Sequence, residues 1–198
     1  MGAPDVQLPS VGPEEGEVTL YDPDILTKLD WSKVTHMKNG VTSATPGEGL
    51  LVRPLCKADY DRGFLQLLGQ LTKIGDISRE KFNERFEAMR SCPGHYYVTV
   101  IEDTQLGQIV GSATLACELK FIRDCAKRGR LEDVVVSNEQ RKQRVKSMIL
   151  IVTTITLLAG EVGCYKMGLD CKDEMKLFYR SLGYSSEKGN DNTMIIRF

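Results

Sequence analysis

Chemistry in this chain can start from a basic run. Asn138-Glu139-Gln140-Arg141-Lys142-Gln143-Arg144-Val145-Lys146 lies between Val134-Val135-Val136-Ser137 and the apolar stretch 147–158. Read as strand, charged turn and helix, this pattern brings backbone N–H groups at a helix start to where a phosphate can meet them. An ordinary βα connection with a solvated basic turn has the same pattern. Other polar residues stand near strand ends: Glu132, Asp133, Asp170, Tyr179 and Arg197. Each also has a plain structural reading. Asp170 can stop a strand, Tyr179 can be a core tyrosine, and Arg197 can be a terminal surface charge. Nucleophilic triads lack their residues, because His36 and His95 are the two histidines and neither neighbours a motif. There is no P-loop, no G-x-G-x-x-G and no metal-ligand spacing.

The elements that must position these residues belong to an ordinary globular chain. Its 198 residues suffice for one domain with its own core, and it is 41% hydrophobic and 27% charged. A net charge of −1 favours neither nucleic acid nor a membrane surface. Six cysteines without a C-x-x-C pair argue against zinc and disulfides, and predict buried free thiols in a reducing, cytoplasmic setting. No secretory signal opens the chain, and the apolar run 148–158 is too short to span a bilayer.

In order, 1–19 read as a disordered arm and 20–198 as a single domain. A short docked helix fits 22–31. A strand at 50–55 precedes a helix over 59–71, then a second helix capped by Ser78 that ends near Ser91. Residues 96–102 and 108–118 form an antiparallel hairpin, with Gly111 marking a bulge or a close neighbour. A basic connection, 119–130, leads to the valine strand. The long helix follows and closes at Gly163. A strand at 164–170, a helix at 174–182 with Met175, Leu177, Phe178 and Leu182 inward, and a terminal strand at 192–198 complete the chain. The fold class is α+β with a mixed, mainly antiparallel sheet.

Several runs carry a resemblance. Pro46-Gly47-Glu48-Gly49-Leu50, Gly69-Gln70-Leu71-Thr72, Tyr96-Tyr97-Val98-Thr99-Val100, Lys120-Phe121-Ile122, Cys125-Ala126-Lys127-Arg128-Gly129-Arg130, Glu132-Asp133-Val134-Val135-Val136, Cys164-Tyr165-Lys166 and Phe178-Tyr179 stand in an order similar to the eukaryotic glucosamine-6-phosphate N-acetyltransferases. These are members of the GNAT superfamily of acetyl-CoA-dependent N-acetyltransferases. The resemblance implies the GNAT fold and acetyl transfer from acetyl-CoA to the 2-amino group of glucosamine 6-phosphate, on the route to UDP-N-acetylglucosamine. It implies direct attack in a ternary complex, a homodimer, and no metal. Thr72, Lys120, Phe121, Ile122, Arg123, Tyr165, Lys166 and Arg197 would meet the sugar phosphate, and Glu132 and Asp133 the sugar hydroxyls. Backbone groups of Val134, Val135 and Val136 would align the pantetheine, with Val134 polarising the thioester carbonyl. Asp170 would orient the amine, and Tyr179 would protonate the departing thiolate. Arg141, Lys142, Gln143, Arg144, Val145 and Lys146 would face the CoA pyrophosphate.

Two positions depart from the family. The superfamily's pyrophosphate turn is R/Q-x-x-G-x-G/A, whose glycines allow close backbone approach; the run 141–148 has no glycine and is about two residues longer than the resemblance leads one to expect. Arg123 stands where the family usually has His. The glycine-free turn leaves three readings: an enzyme with an altered CoA loop, a catalytically impaired relative that keeps sugar-phosphate binding or dimerisation, and a sequence-level error in an ordinary enzyme.

Overall fold

Alternation of apolar residues along Tyr96–Asp103 and Gln108–Leu119 builds the centre of the sheet, with Val100, Ile101, Ala113 and Leu115 wholly buried. The computed structural model describes residues 17–34, 41–139 and 143–186. Five strands lie in chain order: β1 (Leu50–Pro54), β2 (Tyr96–Asp103), β3 (Gln108–Leu119), β4 (Lys127–Val136) and β5 (Cys164–Gly168). The first three pairings are antiparallel and β4–β5 is parallel. The helices are α1 (Asp24–Thr27), α2 (Phe64–Leu68), α3 (Arg79–Arg90), the single turn α4 (Ile122–Cys125), α5 (Arg144–Glu161) and α6 (Lys176–Ser181). The sheet is mixed and mainly antiparallel, as the sequence predicts.

Two clusters cover the sheet. On one face Leu150, Ile151, Val152, Ile155 and Leu158 of α5 pack with Leu26, Leu29, Leu115, Leu131 and Val136. On the other, Phe64 and Leu67 of α2 and Phe82 and Phe86 of α3 pack with Val98, Val100, Ile109 and Val135. Threonines within α5 satisfy their hydroxyls along the helix, Thr154 donating to Leu150 O and Thr156 to Val152 O, each at 2.8 Å. Ser78 caps α3 by accepting from the Lys81 N–H. Gly111 sits at a register shift in the β2–β3 ladder, and a Cβ there would come within 3.1 Å of Ile101.

Several expectations change. The helix over 59–71 is a 3₁₀ turn (Lys57–Tyr60) followed by α2 alone, because Gly63 takes a left-handed φ of +83° between them. The basic connection 119–130 is half strand: Lys127–Arg130 joins β4, held by β3 on one side and β5 on the other. Leu177, expected inward, is 76% exposed, because the 3₁₀ turn Asp173–Met175 precedes α6 and changes which face docks. The cysteines are free, but only Cys56 and Cys117 are buried, while Cys92, Cys125 and Cys171 are exposed on loops and turns. Residues 17–19, assigned to the arm, are docked: Thr19 pairs with Cys56, and Glu17 accepts from Ala58 N and meets Arg62. The strand expected over 192–198 and His36 lie outside the described residues.

A buried ion network fixes the β1–β2 side. Arg53 on β1 donates through Nε to Glu102 at 2.8 Å and grips Asp59 with both terminal nitrogens, at 2.8 and 2.7 Å. Its side chain is 4% exposed and those of both acids are 0%. Removing the cation leaves the buried Glu102 carboxylate without it, and leaves Asp59 only the Cys56 N–H and the longer contact to Arg62 at 3.4 Å. Arg53→Ala is therefore expected to lower unfolding free energy by about 3–5 kcal/mol in urea denaturation, the range for breaking a buried pair. Arg79→Ala, which removes the exposed pair with Asp61, is expected to cost no more than ~1 kcal/mol. Equal small losses for the two variants would contradict this account.

Candidate active site

The parallel ladder between β4 and β5 ends at the Arg130–Gly168 pair. Beyond it β4 runs on through Val136, still paired to β3, while the chain leaves β5 at Gly168. A fork thus opens halfway along β4. Within it lies a bulge: Ser112 opposes Val135 and Thr114 opposes Glu132, so Ala113 faces two residues, Asp133 and Val134. Asp133 takes a left-handed φ of +52° there. The extra residue keeps Val134 and Val136 against the α5 cluster and turns Val135 to the opposite one. No β5 residue is registered opposite Leu131–Val136, so that side of the β4 backbone faces the fork.

Charged side chains line the open face below it. Alternation places Arg128, Arg130 and Glu132 together, opposite Glu118, Ala116 and Thr114 of β3. Lys120 pairs with Glu118. Arg130 donates to Glu132 at 2.6 Å and to Asp170 at 2.7 Å, so two of the expected site residues share one guanidinium. The Asp133 carboxyl is pushed up from the usual aspartate range, first by partial desolvation and then by Glu132 beside it.

Arg123 lies 5.1 Å from the Tyr165 ring centroid, a cation–π contact that joins α4 to β5. Arg123, Asp124 and Cys125 all have positive φ, so strained backbone carries this arginine. Phe121 and Ile122 are 97% and 64% exposed, and Lys166 is exposed too.

Tyr179 is buried between Phe178 and Tyr184, with ring centroids 5.1 and 5.7 Å away. Burial pushes its hydroxyl above the ordinary tyrosine value, and the charge of Cys171 adds to the shift. Cys171 follows Asp170 on the loop beyond β5.

Thr72 stands apart, exposed in the loop after α2. Its neighbour Gln70 accepts from Asn138 N at 2.9 Å, tying α2 to the end of β4. Gln143 precedes α5, and Arg144, Val145 and Lys146 are exposed on its first turn. Arg141, Lys142 and Arg197 lie outside the described residues. A cavity of about 400 Å³ between α2 and the end of β4, lined in part by Gln70, Val110 and Ser137, is separate from the fork. Among the described residues no three His, Cys, Asp or Glu side chains gather as a metal site, and no helix is long and apolar enough to cross a membrane.

No family model matches the chain. A probable glucosamine 6-phosphate N-acetyltransferase of Drosophila melanogaster is 52% identical over 184 residues, covering 92% of this chain and 83% of that protein. The glucosamine 6-phosphate N-acetyltransferase of Candida albicans is 35% identical over 151 residues, covering 76% of this chain and 97% of that protein. The crystal structure of glucosamine-6-phosphate N-acetyltransferase from Arabidopsis thaliana matches with a TM-score of 0.69 at 34% identity, covering 76% of this chain and 99% of that one. The chain belongs to the glucosamine 6-phosphate N-acetyltransferase family.

As a family member it has the GNAT fold expected from its sequence. Two residues outside the expected site also meet it. Arg130 was missed because 119–130 reads as a basic connection; once Lys127–Arg130 belongs to β4, its spacing of two from Glu132 places both on one face. Gln70 gave no such signal, because its partner is a backbone N–H that composition does not reveal.

At the base of the fork the Cys117 and Cys164 sulfurs stand 3.8 Å apart. Burial pushes the Cys117 thiol up to about 12, and the Cys164 thiol is raised too. The thiolate is the nucleophile, so a raised value leaves little of it near pH 8. Alkylation at pH 8 followed by mass spectrometry is expected to modify Cys92, Cys125 and Cys171 first. Cys117 and Cys164 should follow only at higher pH or on unfolding, and early loss of Cys117 would contradict the packing.

Proposed function

We propose that this chain transfers the acetyl group of acetyl-CoA to the 2-amino group of glucosamine 6-phosphate. The observation that carries the reading is the fork between β4 and β5 with a bulge at Asp133. Backbone along Val134–Val136 has one side committed to β3 and the other facing open space, which suits the amides of a pantetheine arm. A backbone N–H in the bulge can polarise the thioester oxygen as charge builds there. The relatives named for this activity support the same reading, and nothing in the fork favours an impaired sugar-phosphate-binding module.

The amine nitrogen attacks the thioester carbon, the C–N bond forms, and the C–S bond breaks. Tyr179 gives its proton to the departing sulfur, and the proton shed by nitrogen restores the tyrosine through solvent. Asp170 orients the amine, Glu132 and Asp133 take sugar hydroxyls, and Lys120, Arg123, Tyr165 and Lys166 face the phosphate, with Thr72 from the loop after α2. Arginine and lysine suit a phosphate dianion because they offer charge-assisted donors. The largest contribution is alignment of amine against thioester. The basic first turn of α5 faces the CoA pyrophosphate. The protein works in the cytoplasm as a homodimer, and the exposed Leu119, Phe121 and Ile122 offer apolar surface for a second copy.

The direct test mixes acetyl-CoA with glucosamine 6-phosphate and follows free CoA thiol. Release that requires both substrates supports the proposal; calorimetric binding of the sugar phosphate without any binding of acetyl-CoA overturns it. Tyr179→Phe is expected to lower kcat by ~10²-fold, the lower end of the range for one positioned acid, with KM values little changed. Tyr179 must be protonated to act, and its raised pKa keeps it so as pH rises. The alkaline limb of kcat is therefore expected above the ordinary tyrosine range, near 10, and should vanish in the phenylalanine variant. An unchanged profile removes Tyr179 from the acid role.

A further inference from the structure

Arg130 occupies the last paired position before β4 and β5 separate, opposite Gly168. Its Nε donates to Glu132 Oε1, two residues further along β4 and already beyond the fork. Its Nη2 donates to Asp170 Oδ2, two residues beyond the end of β5. One planar guanidinium therefore joins the two arms of the fork at its mouth. The opposing residues on β3, Ala116 and Thr114, are small, and the Arg130 side chain is 28% exposed. The two carboxylate bonds raise the pKa of the guanidinium, so it is charged at any working pH.

We infer that Arg130 is a positioning residue, a strut that sets where Glu132 and Asp170 stand relative to each other and to the bulge at Asp133. The inference rests on the transferase reading given above. In that reading Glu132 holds the sugar and Asp170 its amine, so their separation fixes how the amine meets the thioester. Arginine suits this position because its fork reaches two carboxylates in fixed geometry, whereas a lysine offers a point charge on a flexible stem.

Magnitudes separate this role from a merely structural one. Glu132 is 40% exposed at the side chain and Asp170 is 58%, and ion pairs as open as these contribute little to folding. Misplacement of a reacting group by about 1 Å can cost ~10²-fold in rate. A strut therefore shows itself in turnover of the sugar, with thermal stability almost intact.

The experiment compares wild type, Arg130→Ala and Arg130→Lys in steady-state kinetics with each substrate varied in turn, alongside thermal melting. Arg130→Ala is expected to lose ~10–100-fold in kcat/KM for glucosamine 6-phosphate. Its KM for acetyl-CoA should stay within about twofold, and its melting temperature within about 2 °C, the shift of a sub-kilocalorie change in a domain of this size. Arg130→Lys should fall between the two, and millimolar methylguanidinium should restore part of the alanine variant's rate. Sugar kinetics within twofold of wild type in Arg130→Ala would overturn the inference while leaving the transferase reading intact. So would a loss shared equally by both substrates together with a large fall in melting temperature. A wild type that binds both substrates yet transfers nothing would overturn the functional reading, and the inference with it.

Discussion

Parallel pairing between β4 and β5 stops at Arg130 and Gly168, and among the described residues none is registered against the remaining backbone of β4 on that side. Leaving main-chain groups unpaired inside a sheet costs free energy unless water or a ligand meets them. Three features let β4 hold its course regardless. Its other side stays registered with β3 to Val136. Its apolar side chains remain buried on both faces, Val136 against α5 and Val135 against α2 and α3. The bulge at Asp133 absorbs the change of register, so neither set of valines is turned to solvent.

The rest of the molecule keeps the fork from collapsing. α5 presents a nearly continuous apolar surface, with Leu150, Ile151, Val152, Ile155 and Leu158 almost fully buried. Each such side chain contributes about 1.5–3 kcal/mol on burial, far more than a strand needs to stay in place. At the far side Arg53, Asp59 and Glu102 lock β1 to β2.

How much of this could be read beforehand depended on whether the signal was local. The β2–β3 hairpin was legible because period-two alternation and the 103–107 turn are local features. The cap at Ser78 was legible for the same reason. The first half of β4 was not, since Lys127-Arg128-Gly129-Arg130 has polar residues on its open face and a glycine on its buried one; its strand character comes from two neighbours far away in sequence. The candidate site divides along the same line. Glu132 and Asp170 are 38 positions apart (170 − 132), and no spacing rule brings them together; each stands out singly as a polar residue near a strand end, only the resemblance gave them roles in one site, and the fold joins them through Arg130. Leu177 faces solvent against the helical periodicity, because the 3₁₀ turn Asp173–Met175 changes which face of α6 docks.

The first turn of α5 shows how a departure from family pattern can still be consistent physically. It carries Arg144 and Lys146 and no acidic residue, and Gln143 makes no side-chain capping bond. Cations at a helix N-terminus oppose the macrodipole, at roughly 0.3–1 kcal/mol each. Burial of the following apolar face outweighs that several times over, so the helix starts at Arg144 nonetheless. The unfavourable charge is relieved when an anion binds, because a dianion is attracted both to the side chains and to the N–H groups behind them. A glycine-lined turn gains its affinity from backbone already in place, with little dependence on salt. A turn built from exposed, long side chains must order them on binding and acts through screened charge. On the proposed function, the price of losing the glycines falls on CoA affinity and its dependence on ionic strength, while the fork that aligns the thioester is left as it was.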